Sequence, residues 1–250
     1  MTDRRPRAIA HRGASGYAPE NTAAAFDLAI VMGADAIETD VQLTRDGELV
    51  LFHDPTVERT SNGRGPIADY TLAELRALDL GAWLDPRFTG ERIVTLAAFI
   101  ERWLTRIPAA IEIKDPRAAI PTARALAHDG ICERVEVTSF HWGALLDAQT
   151  VDDRMALGFL TGRGHFDDDI IARCVARGFA QVCPHVEDLD PETVAAAHAA
   201  GLTVRAWGVS ARDQIARLQA SGADGTTLNW PDWLVGGSPP EFIARDMRTG

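Results

Sequence analysis

The sequence predicts an α/β fold, a TIM (β/α)8 barrel with a small insertion after the second strand. Three observations carry this expectation. From Leu96 onward, short β-prone runs alternate regularly with segments of helical period; with the first two strands, eight strand–helix units fill the 250 residues. Ionisable side chains collect at the C-terminal ends of those strands, where barrels of this kind place their sites. The competing open, doubly wound sheet lacks its mark, since no G-x-G-x-x-G separates the first strand from the first helix. Residues 1–250 are therefore expected to form one barrel domain.

In chain order, residues 8–11 make the first strand, ending at His11-Arg12-Gly13, and a glycine-containing loop occupies 14–19. Asn21 or Thr22 can cap the helix that runs to about Met32, where Ala23, Phe26, Ala29 and Ile30 mark its apolar face and Gly33 ends it. The second strand, 36–41, carries Glu38 and Asp40. Being two apart on a strand, they share one face, while Thr39 and Val41 point the other way. Arg45, Asp46 and Gly47 then reverse the chain into an apolar run, 49–52, which must pair antiparallel because a parallel crossover needs a longer connection. Folding about Asp46 and Gly47 sets His53 roughly opposite Asp40.

Residues 55–94 read as the insertion. Residues 55–65 are turn-rich, and 71–79 look like a short helix with Glu74 at the capping-box position. Gly81-Ala82-Trp83 can roof a site or simply pack. The regular alternation follows, with helices over 96–105, 118–129, 141–149, 167–177, 191–200 and 211–221, and strands over 109–114, 134–139, 155–160, 179–183, 203–208 and 223–228.

Composition excludes several partners. With 25 Lys and Arg against 36 Asp and Glu the net charge is -11, and no basic run points to nucleic acid or an anionic membrane. The three cysteines, Cys132, Cys174 and Cys183, form no C-x-x-C and are expected to be buried, reduced thiols. The basic start is followed by no apolar stretch of the kind that makes a secretory signal, and no apolar segment reaches the roughly 20 residues that span a bilayer. A cytoplasmic protein without stable membrane insertion is the resulting expectation; the oligomeric state is open.

The chemistry gathers at the strand ends. His11 and Arg12 end the first strand, Glu38 and Asp40 the second, Glu112 and Lys114 the next barrel strand, and Trp207 the seventh. In Ile111-Glu112-Ile113-Lys114 the same two-residue period turns Glu112 and Lys114 to the barrel axis and the isoleucines to the helices. Carboxylates outnumber the cations visible near them, so three acids at one mouth call for a bound cation. All-oxygen ligation by Glu38, Asp40 and Glu112 suits Mg²⁺ or Ca²⁺ better than zinc. His11 and His53 can move protons near neutral pH, and Arg12 and Lys114 can balance an anionic group such as phosphate. The inferred class is metal-assisted cleavage of a phosphoester.

These residues carry a family resemblance. His11-Arg12-Gly13, Pro19-Glu20-Asn21-Thr22, Glu38-x-Asp40-Val41, Thr44-x-Asp46-Gly47, His53-Asp54 and Ile111-Glu112-Ile113-Lys114 closely resemble the glycerophosphodiester phosphodiesterases, part of the PI-phospholipase-C-like phosphodiesterase barrels. Arg59-Thr60-Ser61-Asn62-Gly63-x-Gly65, Tyr70-Thr71-Leu72-x-Glu74-Leu75 and Gly201-Leu202-x-Val204 with Trp207 extend the likeness over most of the chain. The resemblance implies a divalent metal on Glu38, Asp40 and Glu112, acid-base work by His11 and His53, and a small-molecule substrate met by Arg12, Lys114 and Trp207. It departs near the last strand, where Leu228-Asn229 replaces the Thr-Asp usual in the family. Two readings compete with glycerophosphodiester hydrolysis: a phospholipase-D-like barrel acting on lysophospholipid or sphingomyelin, and a catalytically silent barrel that binds phosphodiesters. Retention of both histidines weighs against the silent barrel, since binding alone needs no proton donor and acceptor.

Overall fold

A computed structural model describes residues 5–128 and 130–236. The ends of the expected domain, 1–4 and 237–250, and the last residue of the expected helix 118–129, lie outside the described residues. Eight parallel strands close on themselves: β1 (Arg7–His11), β2 (Ala36–Leu43), β4 (Ala109–Ile113), β5 (Val135–Ser139), β6 (Ala156–Leu160), β7 (Gln181–Cys183), β8 (Thr203–Val209) and β9 (Gly225–Leu228), with β1 bonded to both β2 and β9. The short β3 (Leu49–Leu51) adds antiparallel to β2 as a hairpin arm outside the ring. Helices α1 (Ala23–Val31), α2 (Leu72–Ala77), α3 (Leu96–Phe99), α4 (Ala119–Leu126), α5 (Trp142–Gln149), α6 (Asp168–Ala176), α7 (Pro191–Ala199), α8 (Asp213–Ser221) and α9 (Asp232–Val235) complete the order.

The helices cover the barrel because each strand sends alternate residues outward. Ala8, Ala10, Ile37, Val41, Ile111 and Ile113 lie at 0 % exposure in the main core, against Phe26 of α1 and Phe99 of α3. Phe26 meets Phe99 edge-on at 5.0 Å and Trp103 at 5.3 Å, geometry that adds to the area they bury. Inward, Ile9, Ala36 and Ala110 form a small separate cluster, one step along each strand from His11, Glu38 and Glu112. The three cysteines are buried and free. Among the described residues no helix is long and apolar enough to cross a membrane.

Several expected boundaries shift for physical reasons. The helix expected over 96–105 is α for one turn and then widens to a π-helix over Ile100–Leu104, seating Trp103 against Phe26. Phe179 closes the turn that follows α6, its N–H bonding Cys174 O, and β7 starts only at Gln181. The expected start of β9 at residue 223 moves to Gly225, and α9 was not expected at all. The capping box of α2 forms as read, with Thr71 and Glu74 reciprocally bonded. Residues 55–94 enclose their own apolar group, with Val57, Ile67, Leu75, Leu80 and Ile93 packing on Val50 and Phe52 of the hairpin.

Candidate active site

Strand register brings the acids together. Parallel pairing sets His11 beside Glu38 across β1 and β2, and Asp40 beside Glu112 across β2 and β4. One ligand oxygen each from Glu38, Asp40 and Glu112 lies within 4.8 Å of the others, and all three side chains are buried. Arg12 and Gly13 turn the chain sharply after β1 with φ of 56° and 81°. Only glycine fits the second position, because a Cβ there would meet the Ala25 main chain at 2.6 Å. That turn points the Arg12 N–H at Glu38 Oε2, 3.0 Å away, and brings Arg12 Nε to 3.2 Å from Asp40 Oδ2. Asn21, also at positive φ, leaves the capping of α1 to Thr22 and turns its amide inward, donating to Asp40 Oδ2 at 3.0 Å and accepting from Thr39 Oγ1 at 2.8 Å.

His53 arrives by a register different from the one expected. Thr44 N–H bonds Glu48 O, so Arg45-Asp46-Gly47 form a three-residue loop, and the ladder opposes Asp40 to Phe52 rather than to His53. His53 lies one residue beyond that pair. Gln42 holds it there, donating to the carbonyls of Phe52, His53 and Asp54 at 3.1, 3.0 and 2.6 Å. The ring's Nδ1 is 2.6 Å from Asp54 Oδ1.

A cavity of about 290 Å³ opens at this end of the barrel, lined by His11, Arg12, Glu38, His53, Glu112 and Lys114 on one side. Phe140, Leu160, Trp207 and Val209 form the other side. Trp207 stands edge-on to Phe140 at 5.2 Å and donates from Nε1 to Thr161 O at 3.2 Å. Every residue singled out in the sequence as a site candidate thus borders this cavity except Asp40, which lies directly behind Arg12 and Lys114. Trp83 is not among the lining residues. It donates to Leu80 O within the insertion, and Gly81 packs so tightly on Phe88 O that neither roofs the site.

The structure adds a cation that the sequence reading did not name. Arg205, 2 % exposed, also lines the cavity, and its charge acts on Glu136, Glu38 and Glu112. Arg12 is shared with Glu20 and Arg205 with Glu136, so Glu38, Asp40 and Glu112 are not fully balanced by Arg12, Lys114 and Arg205. Arg205 precedes Trp207 by two on β8, so the alternation that turned Glu38 with Asp40 also turns Arg205 inward; that signal was in the sequence. Burial pushes Glu38 up, and the charges of Asp40 and Glu112 push it further. Burial and then Asp40 raise Glu112 to about 7. Burial would raise Asp40 as well, but Arg12 and Lys114 more than offset it and hold its carboxyl low. Lys114 Nζ is 2.8 Å from Glu112 Oε1 and 3.5 Å from Asp40 Oδ1, which is buried and makes no hydrogen bond. Two acids with raised proton affinity beside a third with an oxygen that makes no hydrogen bond fit a hard cation that takes oxygen ligands.

Burial lowers the proton affinity of both imidazoles. His11 is lowered to about 4, first by burial and then by Arg12, and His53 is lowered by burial with Arg12 and Lys114 adding. His11 Nδ1 lies 2.7 Å from Asn229 Oδ1, at the position where the sequence departs from the family pattern. With Oδ1 facing it, the neutral ring carries its proton on Nδ1 and turns an unprotonated Nε2 toward Glu38 Oε2, 3.9 Å away.

Buried carboxylates, fixed cations and two oriented imidazoles in one cleft make a site of the kind that cleaves phosphoesters. A family model described as the glycerophosphoryl diester phosphodiesterase family matches residues 11–233, and the chain belongs to that family. It is 37% identical over 235 residues to YhdW of Bacillus subtilis, covering 91% of this chain and 96% of the relative. It is 35% identical over 233 residues to a glycerophosphodiester phosphodiesterase of Caldanaerobacter subterraneus subsp. tengcongensis, covering 91% and 95%. Among solved structures, an Oleispira antarctica phosphodiesterase in complex with the product sn-glycerol-3-phosphate superposes with a TM-score of 0.82 at 30% identity, covering 91% of this chain and 94% of that one.

Proposed function

We propose that this chain hydrolyses glycerophosphodiesters to sn-glycerol 3-phosphate and an alcohol, with a divalent cation, Mg²⁺ or Ca²⁺, on Glu38, Asp40 and Glu112, and with proton transfer by His11 and His53. The convergence of those three carboxylates within 4.8 Å, two of them lining the cavity that holds both histidines, is the observation that carries the reading. The sn-glycerol-3-phosphate in the Oleispira relative supports the substrate class.

A cation on the three carboxylates supplies positive charge to phosphoryl and hydroxyl oxygens brought against it. Arg12 and Lys114 balance the charge that develops on the phosphoryl oxygens, and Trp207 with Phe140 walls the far side of the cavity. The surroundings of the two rings divide the proton work. Asp54 beside His53 favours the imidazolium there, whereas the neutral Asn229 and the low affinity of His11 for a proton favour a free base. We therefore assign His11 as acceptor and His53 as donor to the departing alcohol. Among the described residues, the one serine or cysteine that lines the cavity is Ser210, on the wall away from both rings. The glycerol 2-hydroxyl next to the phosphate supplies the nucleophile: His11 takes its proton, a cyclic glycerol phosphate forms, and water opens the ring as the histidines exchange roles.

A substrate panel decides between this reading and its competitors. Glycerophosphocholine, lysophosphatidylcholine and sphingomyelin are offered in turn with Mg²⁺ or Ca²⁺. Release of sn-glycerol 3-phosphate from the first is expected. Turnover of the lipids alone supports the phospholipase-D-like alternative, and binding without turnover supports the silent barrel.

A further inference from the structure

Arg59 comes from the insertion, yet it joins the loop after β1 to the end of the hairpin that carries His53. Its Nη1 and Nη2 meet Glu20 Oε2 and Oε1 at 2.7 Å each, and its Nε meets Asp54 Oδ2 at 2.5 Å. Glu20 Oε1 also takes Arg12 Nη1 at 2.8 Å, and Arg12 Nε reaches Asp40. Asp54, through its other oxygen, holds His53 Nδ1. Asp40, Arg12, Glu20, Arg59, Asp54 and His53 thus form one continuous path of alternating charge, with Arg59 as the only member drawn from the insertion.

We propose that Arg59 is a positioning residue for the phosphodiester reaction, holding Asp54, and through it the His53 ring, while anchoring Glu20 and Arg12 with the other edge of the same guanidinium. The inference rests on the reaction assigned above. A planar guanidinium presents donors on two edges at once, so one side chain can satisfy two carboxylates in fixed geometry; a lysine ammonium cannot. Without Arg59, Glu20 keeps Arg12, but Asp54 loses the guanidinium that fixes its second oxygen. Asp54 then turns toward solvent and releases Nδ1 of His53.

The fold does not depend on this contact. The Arg59 side chain is 45% exposed, and exposed ion pairs add little to global stability. Its chain neighbours are seated independently: Val57 and Thr60 are buried, and Ser61 Oγ bonds Val57 O at 2.6 Å. Removing the guanidinium therefore leaves the segment in place while loosening the ring, so catalysis and folding can be separated.

The test compares Arg59→Ala, Arg59→Lys and wild type, with metal supplied, on glycerophosphocholine. Loss of geometry without loss of fold is expected to lower kcat of Arg59→Ala by about tenfold to hundredfold. Millimolar guanidinium should restore part of it, and Arg59→Lys should recover little. A second readout is independent of turnover: nitrogen NMR of the His53 imidazole, identified by its absence in His53→Gln, should show a strongly hydrogen-bonded Nδ1–H in wild type that is weakened or lost in Arg59→Ala. An unchanged kcat in Arg59→Ala, or an unchanged His53 Nδ1–H signal, overturns the proposal. If the wild type does not turn over glycerophosphocholine, the assigned reaction fails, and the imidazole comparison still decides whether Arg59 positions His53.

Discussion

His11 Nδ1 and Asn229 Oδ1 meet at 2.7 Å across the seam where the first strand pairs with the last. The bond exists only because the barrel closes, so the orientation of one candidate catalytic ring depends on the correct docking of the chain's last strand. Asn229→Ala should leave the ring free to rotate and lower kcat by about tenfold or more, with little change in thermal midpoint. Asn229→Asp should place a carboxylate there, raise the affinity of His11 for protons, and move the acid limb of the pH–rate profile upward. An unchanged profile in Asn229→Asp would remove Asn229 from control of His11.

Removing either imidazole removes one proton-transfer partner. His11→Ala and His53→Ala should each lower turnover by roughly 10² to 10⁴ while the fold persists, because both rings sit at the rim and not in the core. Circular dichroism melts beside steady-state rates check both halves. Wild-type turnover in either folded variant would exclude that histidine from the mechanism.

Metal binding should be strongly pH-dependent. Glu112 holds a proton up to about 7, and Glu38 is also raised by burial and neighbouring charge. A cation binds the ionised carboxylates, so at about pH 6 it must expel protons that are already gone at about pH 8. Apparent Mg²⁺ or Ca²⁺ affinity should therefore rise across that interval. Calorimetry in buffers of different ionisation enthalpy should show proton release that shrinks as pH rises; affinity that is flat or falls with pH would contradict the assigned ligands.

A substrate with hydrogen in place of the glycerol 2-hydroxyl lacks the internal nucleophile. It should be cleaved far more slowly than its parent while still binding as a competitive inhibitor. Equal rates would mean that water attacks directly.

Much of this site was legible in the sequence because strands impose a period of two and barrels concentrate function at one end. Glu38 with Asp40, and Glu112 with Lys114, needed only that period, and the register then placed Asp40 beside Glu112. The histidine after the hairpin was misplaced by one residue, since nothing local distinguishes a two-residue turn at Asp46-Gly47 from the three-residue loop that forms. Arg205 follows from the same alternation, but it lies in the middle of its strand and not at the C-terminal end where the other site residues collect. Asn229 drew notice only as a departure. Its contact with His11, 218 positions away in the chain, is a product of barrel closure. The path through Glu20, Arg59 and Asp54 was likewise invisible, because it joins the first loop to the insertion through side chains alone.

The most direct measurement is release of sn-glycerol 3-phosphate from glycerophosphocholine by enzyme stripped with a chelator, before and after Mg²⁺ or Ca²⁺ is returned, beside Glu112→Gln treated identically. Stripped wild type should be inactive and recover with added cation, and the variant should not recover fully at the same concentration. Full activity of the stripped enzyme in exhaustively metal-free buffer would contradict a cation held by Glu38, Asp40 and Glu112.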